Sequence, residues 1–322
     1  MSLHQHYANH FKIGAAVNAY TVDSRAELLR EHFNSVTCGN ETKPASVTRD
    51  GETYDFAQGD KIRDFAAAND MAFRLHTLAW HNQTPPALYS GKSRTDAIAA
   101  LDRHIARMAA QYPDAYAVDV VNEVISDAPN GDALRKTQLL EIIGVDYLDI
   151  AYTAARRHFP NAALVVNDYN ECDAVKSRRI FELVRGMRER GVPVDAVGMQ
   201  AHYNIFSPAT DEIRCAFDLY ASLGVKIQVT ELDVSLFRHD DKSQLPQDES
   251  ELARLLDHQA EYYAALFRVF KEYAGTLDSV TFWGVCDEDS WLNNFPAPRR
   301  RNMPLLFDAR GAKPCYDAIM GV

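Results

Sequence analysis

A single (β/α)8 barrel spanning residues 1–322 is the fold class predicted by three features of the sequence. Short β-rich runs, eight of them, alternate with longer segments whose apolar residues recur at helical spacing. No linker, low-complexity tract or composition shift divides the chain. No glycine-rich phosphate loop follows the first strand, where the joint reads Gly14-Ala-Ala-Val-Asn18. That absence disfavours the runner-up, an open doubly wound sheet. Strand alternating with helix eight times closes most naturally into a parallel barrel.

The elements follow in order. The strands are read as Lys12–Val17, Ser35–Cys38, Ala72–Leu78, Ala117–Val121, Ala163–Asn167, Ala196–Gln200, Lys226–Thr230 and Ser279–Trp283. The first four helical patterns are Asp23–Phe33, Asp60–Asn69, Arg94–Gln111 and Asp146–Phe159. Ala174–Arg190, Asp211–Leu223 and Glu251–Tyr273 complete the set. Asp, Ser or Thr stands at several strand-to-helix joints, as a helix start prefers.

Bulk properties narrow the function. With 34 basic and 45 acidic residues the net charge is −11, which repels a phosphate backbone, so nucleic acid is not expected as a partner. The five cysteines are scattered, with no Cys/His metal spacing, so neither a disulfide framework nor a metal site is expected. No apolar run is long enough for a membrane span, and the first residues lack the pattern of a secretory signal. The expectation is a soluble, cytoplasmic protein acting on a neutral substrate. Nothing in the pattern assigns an oligomeric state.

In a barrel of this kind, chemistry sits where the strands finish. Strand two runs into Asn40 and Lys43, and strand three into His76, Trp80, His81 and Gln83. Strand four leads to Asn122 and Glu123, strand five to Asn167-Asp168-Tyr169-Asn170, and strand six to Gln200 and His202. Strand seven leads to Glu231 and Asp233, strand eight to Trp283, with Trp291 beyond. Together these predict a polar cleft with aromatic walls. Glycosidic bond hydrolysis needs a proton for the leaving oxygen and negative charge beneath the oxocarbenium ion, and two carboxyl groups supply both. Glu123 and Glu231, on non-adjacent strands, can face each other across the mouth. Alone, either would read as a solvated loop carboxylate.

The flanking residues favour chemistry. Asn122 can donate to a sugar hydroxyl, His202 can keep Glu231 ionised, and Gln200 can reach Glu123 or the sugar. His76, His81, Gln83 and Lys43 read as sugar donors, although His76 could instead be a satisfied core histidine. Trp283 and Trp291 offer flat faces for sugar rings. Trp80 fits either the cleft or a barrel cap.

These segments resemble glycoside hydrolase family 10. The likeness runs from Phe11–Val17 to Pro304–Asp308 and is most specific in Asp119-Val-Val-Asn-Glu123 and Val229-Thr-Glu-Leu-Asp233. His76-Thr-Leu-Ala-Trp-His81, Asn167-Asp-Tyr-Asn170, Gly198-Met-Gln-Ala-His202 and Phe282-Trp-Gly284 are similar to further family motifs. The resemblance implies retaining endo-hydrolysis of β-1,4-xylan or xylo-oligosaccharides without cofactor. Glu123 is then the acid/base, Glu231 the nucleophile, and Tyr169 a sugar-stacking residue beyond the cleavage point. Asn293–Pro296 and Arg299–Arg301 resemble the family's intracellular branch.

Three departures stand out. Gly39 replaces a glutamate that binds a glycone-side sugar hydroxyl, removing about 1.5–3 kcal/mol of charge-assisted binding. Leu75 replaces a glycine before His76, and Val118 replaces a tryptophan. Altered handling of short or decorated oligosaccharides is expected. Three other readings remain at this stage: a related β-1,4-glycosidase, a non-catalytic carbohydrate-binding barrel, and a phosphate-using barrel enzyme.

Overall fold

The computed structural model describes residues 1–246 and 248–322. Eight parallel strands form its centre: β1 Lys12–Val17, β2 Ser35–Cys38, β3 Ala72–Leu75, β4 Ala117–Asn122, β5 Ala163–Asp168, β6 Ala196–Met199, β7 Lys226–Ser235 and β8 Leu277–Phe282. Each pairs with the next, and β8 pairs back onto β1 with Lys12 opposite Ser279, which closes the barrel. Outside run α1 Ala26–His32, α2 Ala57–Ala68, α3 Arg94–Gln111, α4 Tyr147–His158, α5 Ala174–Glu189, α6 Thr210–Ala221, α7 Glu249–Glu272 and α8 Pro314–Met320. The barrel predicted from alternation is the barrel observed.

Helix starts follow from short polar side chains that satisfy free backbone N–H groups. Ser93 accepts from Asp96 N at α3, and Asp173 accepts from Val175 N and Lys176 N at α5. The inward helix faces bury Leu101, Ile105 and Met108 from α3 and Phe267 and Phe270 from α7. Among the described residues, no helix is long and apolar enough to cross a membrane.

The differences from expectation gather at the strand ends. The third strand stops at Leu75, because Thr77 Oγ1 and Leu78 N both turn to the Asp119 carbonyl, at 2.8 and 2.9 Å. It resumes only at Ala79–Trp80. β7 continues to Ser235, so Glu231 and Asp233 stand within a rigid strand rather than beyond it. The sixth strand ends at Met199 and a short strand begins at His202. The first expected helix divides at Arg25, whose ψ of 18° leaves the helical region. α8 was not anticipated. Its Pro314 sits in the first turn, where a missing N–H costs nothing.

Candidate active site

Both glutamates stand at one end of the barrel, where the backbone aims them. Glu123 follows β4 with φ +57°, a left-handed conformation costing about 1–3 kcal/mol for a residue with a Cβ. It is held there by Glu123 N donating to Asn167 O at 2.8 Å and by Arg135 Nε donating to Glu123 O at 2.9 Å. Its carboxylate accepts from Trp80 Nε1 at 2.8 Å and from Gln200 Nε2 at 3.2 Å. Glu231 is only 4% exposed and accepts from Asn167 Nδ2 at 2.8 Å. His202 Nε2 lies 3.3 Å from its other oxygen.

A chain of amides joins the pair. Gln200 Nε2 and Asn167 Nδ2 both donate to Asn122 Oδ1, at 3.4 and 2.9 Å. With Oδ1 so occupied, the Nδ2 group of Asn122 is the part left for a ligand. Asn167 is itself fixed by Thr230 Oγ1, which donates to its Oδ1 at 2.6 Å.

Electrostatics separate the roles. Burial disfavours the imidazolium of His202, but Asp233 and Glu231 outweigh it and push His202 up to about 10. Asp233 Oδ2 lies 3.0 Å from His202 Nδ1 and accepts from Trp291 Nε1 at 2.9 Å. Burial would raise the Glu231 carboxyl, yet the His202 hydrogen bond, the neighbouring histidines and the Asn167 donor together hold it below the ordinary glutamate value. A buried carboxylate kept ionised suits a nucleophile.

Beneath the cleft, Arg74 binds both Asp119 oxygens, and neither side chain is exposed. Asp119 Oδ2 also lies 2.8 Å from His76 Nδ1, which leaves Nε2 of His76 for a ligand. Lys43, 5% exposed, donates to Asn40 Oδ1 at 2.9 Å and lies 4.8 Å from the Trp80 ring centre. Tyr169 is clamped: its hydroxyl donates to Asp127, Arg135 donates to it at 2.8 Å, and Lys176 Nζ covers its ring at 3.5 Å. Burial pushes Asp168, paired with Lys176 at 2.9 Å, up to about 6.

The residues expected at the site line one cleft, except the buried Asn167 and Asp168 and two others, Asp233 and His81. Asp233 stands behind His202 and acts through it. His81 lies edge-on behind Trp80 at 6.0 Å, beside a smaller cavity reaching Tyr89 and Tyr147. The strand ends at Trp80 and the chain bends at His81, which lines that smaller cavity together with Trp80 and Asn122. His81 thus lies outside the lining of the main cleft.

Asn167 is the main residue whose role sequence reasoning missed. It was legible only as one more polar strand end. A further clue was Gly198, where a Cβ would stand 2.5 Å from Asn167 Oδ1. Asn18, Asn82, Asn170 and His239 also line the cleft. Among the described residues, no group of three or more His, Cys, Asp or Glu side chains is placed to hold a metal.

Comparison with known proteins agrees with this architecture. The profile of glycosyl hydrolase family 10 matches residues 2–322. Endo-1,4-beta-xylanase B of Paenibacillus barcinonensis is 44% identical over 314 residues, covering 95% of this chain and 93% of that protein. An endo-1,4-beta-xylanase of Geobacillus stearothermophilus is 38% identical, covering 100% and 98%. The crystal structure of a P. barcinonensis xylanase bound to a conduramine derivative superposes with a TM-score of 0.96 at 42% identity, covering 99% of this chain and 98% of the other. A barrel closed by the same eight strands, matched by the family profile over nearly its whole length, places this chain in glycosyl hydrolase family 10.

Proposed function

We propose that this protein is a retaining endo-1,4-β-xylanase in which Glu231 is the nucleophile and Glu123 the general acid/base. The observation that carries the reading is the contrast between the two carboxyls. Glu231 is buried and held ionised against an imidazolium, while Glu123 is met by neutral donors from Trp80 and Gln200. The xylanase relatives support β-1,4-xylan or xylo-oligosaccharide as the substrate.

In the first step a Glu231 oxygen bonds to the anomeric carbon as the glycosidic C–O bond breaks, and Glu123 gives its proton to the departing oxygen. Water then attacks the same carbon. Glu123 takes the water's proton, Glu231 leaves as carboxylate, and two inversions restore the starting configuration. Asn122, through Nδ2, and His76, through Nε2, are the donors available to the sugar at the cleavage point. Tyr169, Trp283 and Trp291 supply apolar faces for neighbouring sugars. Nothing in this sequence of steps calls for a cofactor.

A mechanism-based 2-fluoro-xylobioside should label Glu231, and proton NMR should show the β-anomer released first. Labelling elsewhere, or release of the α-anomer, overturns the assignment. Parallel rates on xylan and carboxymethylcellulose separate a xylanase from a glucanase. A cytoplasmic setting belongs to the same reading and is supported by five cysteines that are all free thiols. Cell fractionation tests it.

A further inference from the structure

One buried carboxyl takes no part in the steps above. Glu171 is 0% exposed, yet its Oε2 has no hydrogen-bond partner among the described residues. Its Oε1 accepts twice, from Ala201 N at 3.2 Å and from Tyr203 Oη at 2.7 Å. Its own carbonyl accepts from Tyr220 Oη at 2.8 Å, so this residue is anchored from both ends.

What Glu171 holds is more informative than how it is held. Ala201 lies in the gap between β6 and the short strand His202–Asn204, and its φ is +59°. A buried alanine in the left-handed region is strained and persists only where its surroundings impose it. The peptide N–H of Ala201 has no strand partner, and the Glu171 carboxyl is what satisfies it. On either side of this one residue stand Gln200, which donates to Glu123, and His202, which contacts Glu231. The left-handed turn at Ala201 sets where the side chains of Gln200 and His202, two positions apart, meet two different carboxyls. Both side chains line the cleft, and a regular strand through this residue would fix their spacing along one face instead of bending it here.

We propose that Glu171 is a positioning residue for both carboxyl groups, acting through the Ala201 peptide to hold Gln200 and His202 in place. Burial holds its carboxyl above the ordinary glutamate value, in keeping with an acceptor that need not be charged. The proposal rests on the roles given above to Glu123 and Glu231.

The test compares Glu171→Ala, Glu171→Gln and the double variant Glu171→Ala/Ala201→Gly on xylotetraose. Glu171→Ala should lower kcat on the order of tenfold to a hundredfold with a smaller change in KM, as sub-ångström misplacement of reacting groups does. Its acidic limb should move to higher pH as His202 drifts from Glu231. Glu171→Gln keeps an acceptor for Ala201 and should retain kcat within about threefold. The double variant should recover much of the lost kcat, because glycine adopts the left-handed conformation without support.

A merely structural Glu171 predicts a lower Tm with unchanged kcat and pH profile, and that result overturns the proposal. So does a double variant no faster than Glu171→Ala. Should Glu171→Ala fail to fold, Glu171→Asp withdraws the same oxygen by one methylene, and unchanged kcat there is equally fatal. Failure of the underlying roles is read separately, as 2-fluoro-xylobioside labelling of the unmodified enzyme at a residue other than Glu231.

Discussion

Trp80 Nε1 donates to Glu123 Oε2 at 2.8 Å, so the indole that closes one wall of the cleft also fixes the carboxyl proposed as acid/base. The same ring carries Lys43 over its face. Trp80→Phe keeps a smaller aromatic wall and removes the donor. A hydrogen bond to a protonated carboxyl contributes about 0.5–1.5 kcal/mol, so kcat/KM should fall roughly twofold to tenfold. Steady-state rates on xylotetraose check this, and an unchanged value would show that Gln200 alone suffices to orient Glu123.

Gly198 makes room for Asn167. An added Cβ would approach Asn167 Oδ1 to 2.5 Å and the Val165 Cγ1 to 3.0 Å, and neither can retreat within a closed barrel. Gly198→Ala should destabilise the fold by about 1–3 kcal/mol through overpacking. It should also depress kcat, since Asn167 carries a donor to Glu231. Urea unfolding and initial rates on one preparation measure both.

His202 gives stability a dependence on pH. Its folded-state value of about 10 stands above the ordinary 6.5, so the imidazolium's contribution is complete below about pH 6.5 and is lost as pH rises through about 10. Tm should therefore fall more steeply between pH 6.5 and 10 in the wild type than in His202→Gln. The variant's activity should fade at a higher pH on the acidic side, because Glu231 loses the partner that keeps it ionised. Parallel Tm and rate profiles that coincide for the two proteins would refute this account.

Gly39 lines the cleft and leaves room beside it. A Cβ there would meet only the Val17 carbonyl, at 3.4 Å, so a side chain fits. Glu41, the nearest carboxylate in sequence, turns back to accept from Asn40 N at 3.0 Å. Gly39→Glu should restore the acceptor that the family pattern places here and lower KM for xylotriose by roughly tenfold to a hundredfold. Binding measured by calorimetry on a Glu123→Ala background tests it without turnover.

The barrel was readable because β-rich runs and helical periodicity survive wherever side chains serve only packing. Readability failed where residues serve the site. Polar Glu231 and Asp233 looked like the start of a loop, yet β7 buries both because Asn167 and His202 on other strands and Trp291 in a helical turn satisfy them. His76 looked like strand, yet Thr77 and Leu78 leave the ladder for the carbonyl of Asp119. Asp119 itself, read only as part of a motif, proves to be the counter-charge of a wholly buried Arg74 45 positions away. Such pairings carry no local signature. Glu171 was invisible for the same reason: its meaning depends on a backbone bond to Ala201, 30 positions on.

The amide chain from Glu123 through Gln200, Asn122 and Asn167 to Glu231 has one more consequence. Primary amides neither release nor accept protons in the working range of a glycosidase, so this connection is stiff but proton-tight. The two carboxyls share a geometry without sharing a relay. In the proposed mechanism each turnover recharges Glu123 from the incoming water, which makes wetting of the cleft after the aglycone departs part of the catalytic clock.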